Sequence, residues 1–124
     1  MKILLDSNII IYAVSGNNDK LISYLRNEEL YCSLISYVEV LGYHKLNKED
    51  RLNFENFFDE ITLLSISFDV IKRAAKIRQN RPVSLGDSII SATAIENNLT
   101  LITRNVPDFK NIEKLKIENP FSTF

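Results

Sequence analysis

The sequence predicts an α/β fold, a mostly parallel central sheet flanked by helices, in a single domain covering residues 1–124. Two patterns predict it. Short apolar runs at residues 3–5, 30–34, 62–66 and 99–103 alternate with longer stretches of helical periodicity, and parallel strands need such a crossover element on the face of their sheet. Four acids, Asp6, Glu39, Asp87 and Asp108, also stand where a chain of this kind passes from strand to helix or loop. In open α/β sheets ligands bind beyond the carboxyl ends of the strands, so the four acids are expected to share one edge.

Residues 3–5 are continuously apolar, as a strand buried on both faces should be, and Asp6-Ser7-Asn8 delivers the chain to a helix N-terminus that continues over 9–14. Ser15-Gly16-Asn17-Asn18 is a turn, after which Leu21, Ile22 and Leu25 have the spacing of an amphipathic second helix. Residues 30–34 form the second strand. Helical periodicity resumes at Ser36 and runs through Val38 and Leu41. Asn47 then caps a helix carrying Leu52, Phe54, Phe57 and Phe58, for which a core or dimer contact is expected. Residues 62–66 are the third strand. The next helix, 69–80, should turn Val70, Ile71, Ala74 and Ile77 inward and stop at Arg81-Pro82-Val83. Ser84 restarts helix, and Asn97-Asn98 leads to the fourth strand at 99–103. Leu115-Lys116-Ile117 is a candidate fifth, and Asn119-Pro120 should end regular structure before the tail 121–124.

At 124 residues, 45% hydrophobic and 25% charged, the chain has the composition of a folded globular domain rather than a disordered one. Fifteen basic and sixteen acidic residues give a net charge of -1, so no global field recruits polyanions, and any nucleic-acid contact must come from a local patch. The single cysteine, Cys32, excludes an internal disulfide and reads as a small buried side chain in a reducing compartment. Met1-Lys2-Ile3-Leu4-Leu5 meets Asp6 too soon for a signal-peptide core, and no apolar run is long enough to span a bilayer. A cytoplasmic protein without membrane attachment is expected.

Each acid also has a plain structural reading. Asp6-Ser7-Asn8 suits helix capping, and Ser36-Tyr37-Val38-Glu39 and Ser84-Leu85-Gly86-Asp87 both match a capping box. Taken singly, capping accounts for any of them. It does not account for acids from remote segments gathered on one edge, because crowded carboxylates raise one another's pKa unless a cation or protons neutralise them. Oxygen-only ligation suits Mg²⁺ or Mn²⁺, and with His44 and Cys32 the only softer donors, a zinc site is not expected.

The motifs Leu4-Leu5-Asp6-Ser7-Asn8, Ser36-Tyr37-Val38-Glu39-Val40-Leu41-Gly42, Ser84-Leu85-Gly86-Asp87-Ser88-Ile89-Ile90-Ser91-Ala92-Thr93-Ala94 and Thr103-Arg104-Asn105-Val106-Pro107-Asp108-Phe109 resemble, in order and spacing, those of PIN-domain nucleases. Within that group the chain is most similar to the VapC-like toxins of type II toxin-antitoxin systems. The resemblance implies a PIN-like fold and a Mg²⁺-dependent endoribonuclease that leaves a 3′-hydroxyl and a 5′-phosphate. It also implies an RNA substrate, a cognate antitoxin protein as partner and a homodimer. It carries over Asp6, Glu39 and Asp87 as metal-binding and catalytic acids, with Ser7 or Asn8 as hydrogen-bonding support for the first. The last acid of the set is Asp108, or Asn105 orients the metal or its water in its place. Ser7 replaces the threonine more usual after the first aspartate and keeps the hydroxyl.

Arg104, within the last motif, is a candidate phosphate contact. Lys72, Arg73, Lys76, Arg78 and Arg81 form an acid-free basic stretch, read either as a solvated helix face or as an RNA contact. His44, Tyr37 and Tyr43 read as packing or surface residues. A phosphatase forming an aspartyl-phosphate would need a second aspartate where Asn8 stands. The remaining alternative is a non-catalytic PIN-like scaffold that binds RNA or protein.

Overall fold

In the computed structural model, which describes residues 1–123, the chain runs β1 (Lys2–Leu5), α1 (Ser7–Ser15), α2 (Asp19–Arg26), β2 (Glu29–Ser33), α3 (Leu34–Leu41), α4 (Lys48–Glu60), β3 (Thr62–Leu64), α5 (Phe68–Asn80), α6 (Leu85–Glu96), β4 (Thr100–Ile102), α7 (Val106–Phe109) and β5 (Ile117–Glu118). A short 3-10 turn, Pro120–Thr123, follows. The five strands lie in the order β3-β2-β1-β4-β5, and every pair is parallel. This is the α/β architecture that the alternating pattern predicts. The strand order reverses between β1 and β4, the place where a doubly wound sheet opens a crevice.

Side-chain alternation along the central strands sorts the core into two layers. Leu4 and Leu101 face one side, where they pack with Val70, Ala74 and Ile77 of α5 and Ile89 and Ile90 of α6. Ile3, Leu5 and Ile102 face the other, against Ile9 and Ile10 of α1, Leu21 and Leu25 of α2, and Phe54 and Phe58 of α4. Each such fully buried aliphatic side chain contributes about 2 kcal/mol. Helix α3 lies at the junction of the layers: Val40 joins the second core and Ile35 packs on the first. Cys32 is fully buried, and burial pushes its thiol up to about 12, which keeps it protonated and inert.

Several boundaries differ from expectation. β2 ends at Ser33 because the Ser33 hydroxyl accepts from the Ile35 amide and starts α3 at once, so Ser36 is an interior helical residue and not a cap. In α5, Ile71 is 42% exposed although it was expected inward; the buried seam is Val70-Ala74-Ile77, and Ile71 lies a full step round the wheel from it. Of the α4 residues, Phe54 and Phe58 are core, Phe57 is partly buried and Leu52 is exposed. β3 stops at Leu64, two residues early, and β5 pairs through Ile117 and Glu118 instead of 115–117. α7 was not anticipated from sequence; Pro107 in its first turn is compatible with a helix start. The 3-10 turn occupies a stretch expected to be irregular, and Phe124 lies outside the described residues. No described helix is long and apolar enough to cross a membrane.

Candidate active site

The register of the central strands places the first acid. Leu5 pairs with Ile102, and the Asp6 amide continues the ladder to the Ile102 carbonyl at 3.0 Å. The next residues of the two strands, Asp6 and Thr103, therefore emerge side by side. Thr103 Oγ1 donates to Asp6 Oδ2 at 2.8 Å, and the Asn105 amide donates to the same threonine oxygen at 3.0 Å. Asp6 is only 4% exposed, and among the described residues no lysine or arginine forms an ion pair with it. It occupies the N-cap position of α1 without making a side-chain cap bond, so capping does not explain it.

Glu39 stands in the second turn of α3. Ser7 Oγ donates to Glu39 Oε1 at 2.7 Å and shares a second hydrogen bond with the buried Ser36 Oγ at 2.9 Å. The far side of the same carboxylate lies on Gly86: a Cβ at that position would sit 2.2 Å from Glu39 Oε2. Gly86 thus lets α3 bring its acid against the first turn of α6, beside Asp87. There Ser84 caps α6 by accepting from the Asp87 amide at 3.1 Å. Asp87 and Asp108 line one hollow of about 490 Å³, with Arg81 and Ser84 on its wall.

Charge ties the four acids together. The Asp87 carboxyl is pushed up to about 6, first by burial and then by the charges of Asp6, Asp108 and Glu39, with the Ser84 hydroxyl opposing. Asp6 is also raised, chiefly by burial; the Thr103 hydrogen bond is the main opposing influence, the amides of Ser7 and Asn8 pull the same way without closing a cap bond, and Glu39 adds repulsion. This is a pocket of unneutralised carboxylates. Among the described residues no three His, Cys, Asp or Glu side chains stand close enough to grip one ion directly. Mg²⁺ does not require such a cage, since it keeps several waters and commonly takes one or two carboxylates. An all-oxygen donor set in which Asp6 and Asp87 are both raised fits that ion.

The support residues differ from expectation. Ser7 serves Glu39 and Ser36 instead of Asp6, and Asn8 is exposed and offers Asp6 only its backbone amide. Thr103 takes the supporting role at Asp6. Asn105 contributes its amide to Thr103 and makes no side-chain cap bond to α7. The Arg104 guanidinium lies over the rings of Phe121, at 4.5 Å, and Tyr12, at 5.5 Å. Sequence reading missed Thr103, Ser36 and Gly86 as parts of the site. The signal for Thr103 was its place at the end of a strand, which becomes informative only once β4 is known to lie beside β1.

The family described as PIN domain matches residues 3–115. The chain is 30% identical over 130 residues to a protein named Ribonuclease VapC1 from Haemophilus influenzae (strain R2866), covering 91% of this chain and 93% of the relative. Among solved structures it superposes on a toxin-antitoxin complex from Klebsiella pneumoniae with a TM-score of 0.80 and 29% identity, over 95% of this chain and 97% of that one. VapBC2 from Rickettsia felis, bound to a DNA fragment from its promoter, gives a TM-score of 0.84 over 96% of this chain and 98% of that one; at 24% identity this is a likeness of fold.

Proposed function

This chain belongs to the PIN-domain family, and from that membership we propose that it is a Mg²⁺-dependent endoribonuclease, the toxin of a toxin-antitoxin pair. The observation that carries the reading is the buried Asp6 and the raised Asp87, coupled by charge to Glu39 and Asp108, with none of the four acids in an ion pair among the described residues. A structural carboxylate would be paired or protonated. A fold that retains this repulsion gains from it only when a divalent ion or a proton enters.

Asp6, Glu39 and Asp87 would hold the ion, directly or through water, with Asp108 at the rim. Bound there, a divalent cation supplies positive charge to the scissile phosphate and acidifies the attacking water. The chain's own groups hold the geometry. Thr103 fixes one oxygen of Asp6, and Ser7 fixes one oxygen of Glu39 against Gly86. Asp87, half-exposed at the hollow, would orient the water and accept its proton. No side-chain nucleophile is needed. Hydrolysis in this manner leaves a 3′-hydroxyl and a 5′-phosphate. The names of the relatives support an antitoxin protein as partner, and a homodimer is part of the same proposal.

The test compares chelator-sensitive RNA cleavage by the wild type and Asp6→Asn. Loss of a supporting partner to a metal ligand already costs about 10- to 100-fold, so removing this carboxylate should cost at least on the order of hundredfold. Equal rates would remove Asp6 from the reaction.

A further inference from the structure

The basic stretch of α5 divides once its partners are known. Lys72 pairs with Asp69 at 4.0 Å and lies over the Phe68 ring, Arg73 is ion-paired with Glu96, and Arg78 Nε donates to the Val83 carbonyl at 3.0 Å. These three have structural work within the α5–α6 pair. Lys76 and Arg81 form no ion pair among the described residues. Both line a cleft of about 340 Å³ between the C-terminal half of α5 and the segment after α7, where Lys114 also lines it, together with Asn80 and the acid Glu113. Lys76, Arg81 and Lys114, none of them ion-paired among the described residues, thus share the cleft with one acid, in a chain whose net charge is -1.

Two further observations bear on this cleft. Arg81 lines both it and the hollow of Asp87 and Asp108, so the basic cleft and that hollow adjoin at this side chain. Lys114 has φ 70, a left-handed conformation in which glycine or asparagine is ordinary and lysine is strained. Lys114 thus brings a long cation to the cleft from a backbone conformation that ordinarily takes glycine or asparagine.

We propose that this cleft holds the phosphodiester backbone of the RNA beyond the point of cleavage, with Arg81 taking the phosphate next to the acidic site and Lys76 and Lys114 taking those that follow. The proposal rests on the nuclease reading for its substrate and adds the path by which that substrate leaves the acids. Phosphate contacts of this kind set register without reading bases.

The experiment is RNA binding by the full chain in chelator, followed by fluorescence anisotropy of a single-stranded oligonucleotide at several salt concentrations, with cleavage in Mg²⁺ run in parallel. The variants are Lys76→Ala with Lys114→Gly, and Arg81→Ala alone. Each lost phosphate contact on single-stranded nucleic acid should reduce the slope of log K against log salt by about 0.7. The double variant should therefore lose about 1.4 in slope and weaken binding at low salt. Lys114→Gly relieves the left-handed lysine, so its thermal midpoint should hold or rise, which separates lost binding from lost folding. Wild-type slope and affinity in the double variant would overturn the cleft while leaving the nuclease reading intact. Slope loss in a protein that never cleaves would support the cleft and remove the nuclease reading. A wild type that neither binds nor cleaves RNA would remove both.

Discussion

Asp87 reports on its neighbours through its own proton. Its carboxyl titrates near 3.8 in an unfolded chain and is pushed up to about 6 in the fold by burial and by Asp6, Asp108 and Glu39. Between those values the folded state binds more protons than the unfolded one, so stability falls as pH rises through that window, and the whole penalty is present above pH 6. In divalent-free buffer Asp87→Asn should therefore melt higher than the wild type at pH 7, and the difference should shrink to little below pH 4. Thermal unfolding at the two pH values measures this; a difference that does not depend on pH would mean the acids do not feel one another. Asp87 also shows that two readings of one residue can hold together. Its amide completes the Ser84 cap, as the S-x-x-D pattern suggests, while its carboxyl belongs to the acidic pocket. Glu39 is different, because the matching pattern at Ser36 falls inside α3 and caps nothing.

Helices α3 and α6 meet at Gly86, where the Glu39 carboxylate occupies the place a Cβ would take. Alanine at position 86 would place its Cβ 2.2 Å from Glu39 Oε2, the free end of a flexible side chain, so the carboxylate can swing away and the backbone need not move. Alanine is also favoured over glycine in a helix by about 1 kcal/mol. Gly86→Ala should keep or raise the thermal midpoint and reduce Mg²⁺-dependent cleavage by about tenfold or more, as displaced supports of metal ligands do. Wild-type cleavage by that variant would show that the position of Glu39 is unimportant. At this scale the sequence is readable where local chemistry decides. Asn47 and Ser84 cap α4 and α6 as their patterns indicate, and the apolar runs fall on strands. It is less readable where neighbours decide. Ser33 competes with Ser36 as the start of α3, Ile71 is apolar but faces outward, and α7 is a four-residue turn around Pro107 with no periodicity to announce it.

The strand order β3-β2-β1-β4-β5 gathers acids separated by most of the chain, since β1 lies between β2 and β4 and the segments after these strands leave from the same edge. That the segments carrying Asp6, Glu39 and Asp108 leave from one edge is legible from strand-helix alternation, whereas Asp87 follows a helix and joins them through the contact of α3 with α6. Which hydroxyl serves which acid is not legible, because it depends on a register that only the folded sheet supplies: Thr103 reaches Asp6 because Leu5 pairs with Ile102. The assembled pocket is a standing electrostatic penalty in the metal-free protein, and anything that binds only the folded form must stabilise it. The most direct measurement is the thermal midpoint during Mg²⁺ titration at pH 7, for the wild type and for Asp6→Asn combined with Asp87→Asn. The account predicts a saturable rise of several degrees in the wild type and none in the double variant. A wild-type midpoint indifferent to Mg²⁺, or an equal rise in both proteins, would contradict it.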